Sequence, residues 1–320
     1  MTGSSTAATR GAQPWPRSIA VIGAAGTVGS SVAAQLALGG IGERIHLIDV
    51  RQNIVVSHVI DLTDALGVLG RDRPQLLAGP PDDGTVDLVV VAASRPEIPG
   101  GDRREFLAAN AGLLETLAPL VERLAGATGL VLLLSNPVDI LAGHLVRRSA
   151  LRTDQVVGYA LNDSARFRAA AARVLGVGAS RVGGHVFGEH GDGQVPMFSS
   201  LTVDGAPVDL DRGQRETVSV DVFGWFRRWS ALESGRSSGW ATGVGVRRMV
   251  ELLATGEPVV ATAGTARLAG YPESFMALQV QRTATGVAAL DPVADAAEAE
   301  QLRTSAIRIA EAVDALDTGE

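Results

Sequence analysis

The sequence predicts an α/β fold, a doubly wound parallel sheet followed by an α+β half. Three observations carry that expectation. Short apolar, β-branched runs alternate with helical spacing through the first 150 residues, the alternation that builds a parallel sheet with helices on both faces. A glycine-spaced turn, G-A-A-G-T-V-G from Gly23 to Gly29, lies between the first such run and the first helix. After about residue 150 the pattern changes to helices mixed with short strands.

The run S-I-A-V-I-G at 18–23 reads as a buried strand ending at glycine, and helical spacing follows over 27–38. A second strand at 44–50 closes a βαβ unit, and D-L-V-V-V-A-A at 87–93 is a third. The segment R-P-E-I-P-G-G-D is too rich in proline and glycine to be helical. Residues 104–125 regain helical spacing, with Phe106, Leu107, Leu113, Leu114, Leu117 and Leu120 for one face. A strand at 130–135 stops at Asn136-Pro137. Beyond it, helices are expected at 164–174, 212–232, 239–254 and 294–316, with strands around 182–187, 198–203 and 276–282. The expected division is a disordered tail at 1–17, a nucleotide-binding domain at 18–150 and a substrate domain at 151–320.

Composition narrows the chemistry. Net charge is −7, with both signs interspersed and no basic stripe, which argues against nucleic acid or an anionic membrane as partner. No apolar run approaches the ~18 residues of a membrane span, and the N-terminal residues lack the apolar core of a signal peptide. A cytoplasmic location is the expectation. There are no cysteines, which excludes disulfides and thiolate metal sites, and no metal is expected. All 28 basic residues are arginine. That excludes the Tyr-x-x-x-Lys pair of short-chain dehydrogenases, the lysine of phosphate-binding loops and a Schiff-base lysine.

Gly23, Gly26 and Gly29 follow a strand and open a helix, the Rossmann context that makes such a turn a dinucleotide site. The first glycine permits the tight turn, the second admits a pyrophosphate and the third lets the helix pack on the strand. Asp49 ends the second strand about 20 residues on, placed to bond both ribose hydroxyls and repel a 2′-phosphate, which favours NAD over NADP. Arg51, two residues further, leaves NADP open.

Over nearly its whole length, from about Ser18 to Leu316, the chain resembles the lactate/malate dehydrogenase family. Seven motifs stand in family order: G-A-A-G-T-V-G, L-I-D-V, P-G-G-D-R-R-E-F-L-A-A-N-A, S-N-P-V-D-I-L, D-S-A-R-F-R, G-E-H-G-D and V-P-M-F-S. The glycine turn looks malate-type and G-E-H-G-D looks lactate-type. The resemblance implies an NADH-dependent reduction of a 2-keto acid to a 2-hydroxy acid. His190 is then the proton donor and acceptor, Asp163 holds its other ring nitrogen, and Arg166 clamps the substrate carboxylate through two parallel hydrogen bonds. Arg103 matches the mobile-loop arginine, Asn136 the asparagine that bonds the substrate oxygen, and Ser237 or Ser238 a substrate contact. Thr27, Val28, Asn110 and Asn136 join the cofactor set. A lone histidine is ordinarily structural, the reading given to His46, His58, His144 and His185; His190 differs by its company. The family also implies a homodimer or homotetramer, with the segments 53–66 and 164–174 at the main contact.

One departure matters. The family's specificity residue lies six before the loop arginine, an arginine in malate-type and commonly a glutamine in lactate-type enzymes. Here it is Glu97. At 4 Å and an effective dielectric of about 20, like charges cost about 4 kcal/mol, so Glu97 disfavours oxaloacetate and favours a keto acid with a cationic or hydrogen-bond-donating side chain. Two alternatives stand beside this reading: Glu97 faces water, and Arg95 or no discriminator serves an ordinary malate or lactate dehydrogenase; or the chain binds NAD without catalysis. The stretch V-F-G-W-F-R-R-W at 222–229 holds two of four tryptophans. It packs on the substrate loop or the core, or it shapes the pocket.

Overall fold

The protein is described from a computed structural model covering residues 15–82, 84–95, 102–235 and 237–318. Glu97 and the side chain of Arg103 lie outside the described set. In chain order, β1 (Ser18–Ile22), α1 (Thr27–Leu38), β2 (Arg44–Ile48), α2 (Gln52–Val68) and β3 (Gln75–Ala78) form the first half of a parallel sheet. β4 (Leu88–Val91), α3 (Arg103–Ala125), β5 (Leu130–Leu133), α4 (Val138–Arg147) and β6 (Val156–Tyr159) form the second. The strand order is β3-β2-β1-β4-β5-β6, every pair parallel. Alternate residues of one strand feed opposite cores. Ile19 and Val21 of β1 join Leu88 and Val90 of β4 on one face, while Ala20 and Ile22 join Val89 and Val91 on the other. Two buried faces are why these strands read as unbroken apolar runs.

α5 (Leu161–Leu175) opens the second half, followed by β7 (Val182–Gly183), β8 (Val186–Gly188), β9 (Gln194–Pro196), β10 (Thr202–Val203) and β11 (Ala206–Pro207). Then come α6 (Arg212–Phe223), α7 (Trp225–Ser230), α8 (Gly239–Thr255), β12 (Val259–Gly264), β13 (Phe275–Arg282), β14 (Val287–Ala289) and α9 (Ala296–Thr318). The large sheet does not stop at the parallel strands. β12 pairs antiparallel with β6, and β13, β8 and β9 continue it outward. β11, β10 and β7 make a separate three-stranded sheet.

Several expectations shift. The parallel sheet runs past residue 150, because Val156 and Val157 of β6 pair with β5 and are fully buried. The expected helix at 212–232 is two helices broken at Gly224, where a Cβ would sit 2.7 Å from the Val220 carbonyl oxygen. The expected strand at 198–203 is mostly a 3-10 turn, with only Thr202 and Val203 extended. Of the expected tail at 1–17, residues 1–14 lie outside the described set. Trp15–Arg17 are held on the body: Arg282 stacks on the Trp15 ring at 4.6 Å, and the Arg17 amide donates to Asp87 at 2.7 Å. α2 turns Val56 and Ile60 outward, whereas α5 buries Phe167, Ala170, Ala171 and Ala172 in its own chain. Among the described residues no helix is long and apolar enough to cross a membrane, and no group of ligating side chains gathers around a metal position.

The first turns of α1 and α8 approach each other closely through glycine. Gly239 and Gly243, one turn apart on α8, face Thr27 and Ser31, one turn apart on α1; the Ser31 hydroxyl donates to the Gly239 carbonyl at 2.7 Å. A Cβ at Gly243 would lie 2.3 Å from Ser31 Oγ and 2.9 Å from its carbonyl oxygen. Gly243→Ala should therefore lower the unfolding free energy by about 1–3 kcal/mol through overpacking, although alanine is the better helix former by about 1 kcal/mol. Urea denaturation checks this, and a stabilised variant would contradict the packing argument.

Candidate active site

Strand order reverses between β1 and β4, so their connections leave in opposite directions and a crevice opens at the carboxyl ends of the strands. The glycine turn borders it. Gly23 has φ +87°, donates its amide to the Ile48 carbonyl at 2.8 Å, and passes so near β4 that a Cβ would lie 2.5 Å from the Ala93 amide nitrogen. A Cβ at Gly29 would lie 2.1 Å from the Gly23 carbonyl oxygen, so α1 starts against the turn. Gly26 faces the other way: a Cβ there meets Gly23 O at 3.4 Å and Arg51 Nη2 at 3.9 Å. Gly26 is the N-cap of α1 and offers no side-chain cap, so the first amides point out as an anion cradle.

Asp49 stands at the end of β2, where Oδ2 accepts from the Ala25 amide at 3.1 Å and Oδ1 from the Arg51 amide at 3.0 Å and side chain at 3.2 Å. Partial burial works to raise its pKa, and these donors outweigh it, holding the carboxyl below its usual range. Glycines at the three closest approaches of the turn, an uncapped helix start and an ionised carboxylate beside it fit a dinucleotide, which Gly23, Gly26, Thr27 and Val28 would hold at the pyrophosphate and Asp49 at a ribose. Asn110 is buried below the loop after β4, accepting from the Arg95 amide at 2.9 Å and the Ser94 hydroxyl at 3.0 Å. It fixes the loop that borders the turn.

The second constellation is built from α5 and the turn joining β8 to β9. Asp163 and Arg166 lie one helical turn apart on α5, and Arg166 Nη1 donates to Asp163 Oδ1 at 2.8 Å. His190, in the turn, donates from Nδ1 to the other oxygen, Asp163 Oδ2. One carboxylate thus serves two cations, and His190 Nε2 points away from the pair. Ser164, next to Asp163, accepts from the Val186 amide at 3.0 Å and pins β8 to α5. His190 keeps 25% of its side chain exposed against 9% for Asp163, so the pair opens to the crevice on the imidazole side.

A second carboxylate lies behind the histidine. Asp139, in the first turn of α4, is 2% exposed. Its Oδ2 accepts from the His190 backbone amide at 2.5 Å and its Oδ1 from the Thr262 hydroxyl of β12 at 2.6 Å. The electrostatics follow from this arrangement. The Asp163 charge, opposed by burial and reinforced by its hydrogen bond and by Asp139, pushes His190 up to about 9, while Arg166 pulls it down. Burial lifts Asp139 to about 6 against the Thr262 and His190 donors. Burial also works to raise Asp163, and the His190 and Arg166 charges overcome it, leaving it below the usual carboxylate range. Arg166 is lowered by burial, with Asp163 opposing.

The structure thus brings His190, Asp163 and Arg166 together, and the glycine turn with Asp49. Asn136 is exposed at the end of β5, one turn before Asp139. Ser237 and Ser238 lie at the start of α8, whose Gly239 packs on Thr27. Arg103 opens α3, while Glu97 lies outside the described residues. Arg95 is exposed. His144 is spent on hydrogen bonds with Glu115 at 3.1 Å and Asp317 at 2.9 Å, joining α4 to α3 and α9. Asp139 was missed, though it stands inside S-N-P-V-D-I-L; nothing in one sequence says that α4 starts beneath His190. Thr262 carries no sequence signal at all.

His190 contributes stability as an imidazolium. That contribution is full below 6.5 and is lost as pH rises through about 9. Four charged groups face the ring or flank it: Asp163 and Arg166 from α5, Asp139 from α4, and Glu189 beside it in the turn. Asp139→Asn removes one negative charge and keeps the shape, so the His190 midpoint should fall by about one unit. NMR titration of the imidazole signals, assigned with His190→Asn, measures it, and an unmoved midpoint would remove Asp139 from the electrostatics.

Comparison with known proteins gives the same assignment. The profile of lactate/malate dehydrogenase, NAD binding domain, matches residues 17–158, and that of the lactate/malate dehydrogenase alpha/beta C-terminal domain matches residues 161–219. The malate dehydrogenase of Haloarcula marismortui is 28% identical over 295 residues, 88% of this chain and 96% of that one. L-lactate dehydrogenase 3 of Bacillus cereus is 32% identical over 226 residues, 70% of this chain and 69% of that one. The crystal structure of Cryptosporidium parvum lactate dehydrogenase, complexed with lactic acid and NAD, has a TM-score of 0.84 at 26% identity, covering 94% of this chain and 98% of that one. With a dinucleotide turn and a His-Asp-Arg cluster on one sheet, and both family domains matched in order, the chain belongs to the lactate/malate dehydrogenase family of NAD-dependent oxidoreductases.

Proposed function

We propose that the protein reduces a 2-keto acid to its 2-hydroxy acid and that the substrate is not oxaloacetate. The observation that carries the first part is the shared Asp163 carboxylate, which holds the His190 imidazole and the Arg166 guanidinium at once. When bound, NADH supplies a hydride to the keto carbon. The chain's own residues supply the rest. His190 Nε2 gives a proton to the carbonyl oxygen as charge develops there, while Nδ1 stays on Asp163, which stabilises the imidazolium before transfer and fixes the tautomer after it. Arg166 receives the substrate carboxylate on the part of its fork not used by Asp163, in a low-dielectric setting that strengthens the pair. Asn136 at the end of β5 and Arg103 at the start of α3 are read as further contacts of the carbonyl oxygen, and Ser237 or Ser238 as a contact of the side chain.

The raised His190 pKa sets the direction of the pH dependence. Reduction needs the imidazolium and should fall as pH rises through about 9; oxidation of the hydroxy acid needs the neutral ring and should rise there. NADH consumption against a panel of 2-keto acids tests the activity itself. On the best substrate, His190→Asn should lower kcat/KM by about 100- to 10,000-fold, the usual span for a general acid, and remove this pH limb. Turnover undiminished in that variant would reject the assignment.

Glu97 is proposed to select the substrate side chain, by repelling a second carboxylate and pairing with a cationic or hydrogen-bond-donating group. Glu97→Arg should raise kcat/KM for oxaloacetate relative to the best natural substrate by about 100-fold or more, given the ~4 kcal/mol between like charges at contact. If the unmodified protein prefers oxaloacetate, the charge inversion is not read and the Arg95 alternative takes its place. The relatives named above, a malate and an L-lactate dehydrogenase, are why that second reading is kept.

A further inference from the structure

We propose that Trp225 positions the substrate-carboxylate clamp, holding the Arg166 guanidinium by its face so that its edge meets the ligand. The inference deepens the reading given for Arg166 and rests on it. The Cζ atom of Arg166 lies 3.5 Å from the centroid of the Trp225 ring. At that separation the planar cation lies over the indole, so a face that water would hydrate is covered by an aromatic surface. Asp163 takes Nη1 at 2.8 Å from within α5. Among the described residues these two contacts define the guanidinium: the carboxylate fixes one corner and the indole fixes the plane. The Arg166 side chain retains 20% exposure, which leaves the remaining edge of the fork to the crevice. A bidentate clamp needs this geometry, because two parallel N–H bonds require the guanidinium plane to match the carboxylate plane.

The support behind Trp225 argues that the stacking is built into the fold. Trp229, one turn later on α7, stacks on Trp225 with centroids 5.3 Å apart and planes at 14°. Asp221, at the end of α6, takes Arg173 of α5 on one side and Arg228 of α7 on the other. The short tryptophan-bearing helix is therefore tied to the same α5 that carries Asp163 and Arg166. Gly224 makes the fold-back feasible, since a Cβ there would lie 2.8 Å from Arg228 Nη1 as well as against Val220. A tryptophan that served only the core would be buried among aliphatic side chains. Trp225 is only partly buried, and its ring is spent on a cation and a second indole.

The test uses the full-length protein with NADH bound, and as probe oxamate, an isostere of the smallest 2-keto acid that cannot be turned over. Calorimetry of oxamate binding is compared for the unmodified chain, Trp225→Phe and Trp225→Leu, with Trp225→Met in place of the leucine variant if that one does not fold. The expected result is a Kd about tenfold weaker without the aromatic ring, equivalent to about 1.4 kcal/mol. Rescue to within about threefold is expected in Trp225→Phe, whose ring still stacks, with the NADH Kd unchanged in all variants. On the best substrate of the panel the same variants should raise KM and leave kcat within about threefold, as for loss of uniform binding. Oxamate binding that ignores the substitution overturns the proposal, as does an unmodified protein that binds no oxamate, or a leucine variant that weakens NADH equally. An unmodified protein that binds oxamate in this pattern but turns over no 2-keto acid leaves the proposal standing and rejects the proposed reaction instead.

Discussion

The arrangement of this molecule turns on one buried carboxylate. Asp163 is 6% exposed, and a charge so placed is tolerable only when paired and hydrogen-bonded. It is paired twice, by Arg166 within its own helix and by His190 from a turn 27 residues further along the chain. The first partner costs nothing in topology, since i,i+3 neighbours on a helix meet automatically. The second requires that β8, β9 and their turn be carried to the amino end of α5. Ser164 pins β8 to α5, and Ser305 of α9 accepts the Glu189 amide at 2.8 Å beside His190. Much of the second half of the chain can be understood as the framework that brings that turn to Asp163.

One continuous sheet joins the dinucleotide turn to this cluster. Parallel strands all deliver their carboxyl ends to the same edge, so Gly23, Asp49 and Asn136 gather there from β1, β2 and β5. Extension of the same sheet by β12, β13 and β8 then places His190 beyond β6 without a hinge between separate bodies. Asp139 spans the junction. It starts α4 on the parallel side, accepts the His190 amide, and takes the Thr262 hydroxyl from the antiparallel side. A buried acid lifted to about 6 beside a histidine lifted to about 9 is a coupled pair, in which each charge eases the ionisation of the other.

In the proposed function, substrate recognition divides along the same line. There Arg166, its plane set by Trp225, answers the carboxylate end of a 2-keto acid. The side-chain end is assigned, in the proposed function, to Glu97, six residues before Arg103 in the sequence. The two determinants are far apart in sequence and belong to different halves of the chain. Change at one therefore need not disturb the chemistry at the other, which is how a family can retain one reaction while its substrates diverge.

What the sequence determined by itself was local or periodic. Buried parallel strands show as apolar runs, Gly23 and Gly29 mark places where a Cβ has no room, and Asp163 and Arg166 face one way because a helix repeats every ~3.6 residues. The resemblance added His190, which no periodicity links to Asp163. Only the tertiary structure could place Asp139 under the His190 amide, Thr262 on Asp139 and Trp225 on Arg166, since each contact joins segments far apart in the chain. The break at Gly224 was hidden for the same reason: the residues around it favour one continuous helix, and packing of α7 on α5 overrides them. Composition and spacing report what a segment can do alone. Which buried charge meets which distant donor is decided when the sheet closes and every desolvated group has to find a partner.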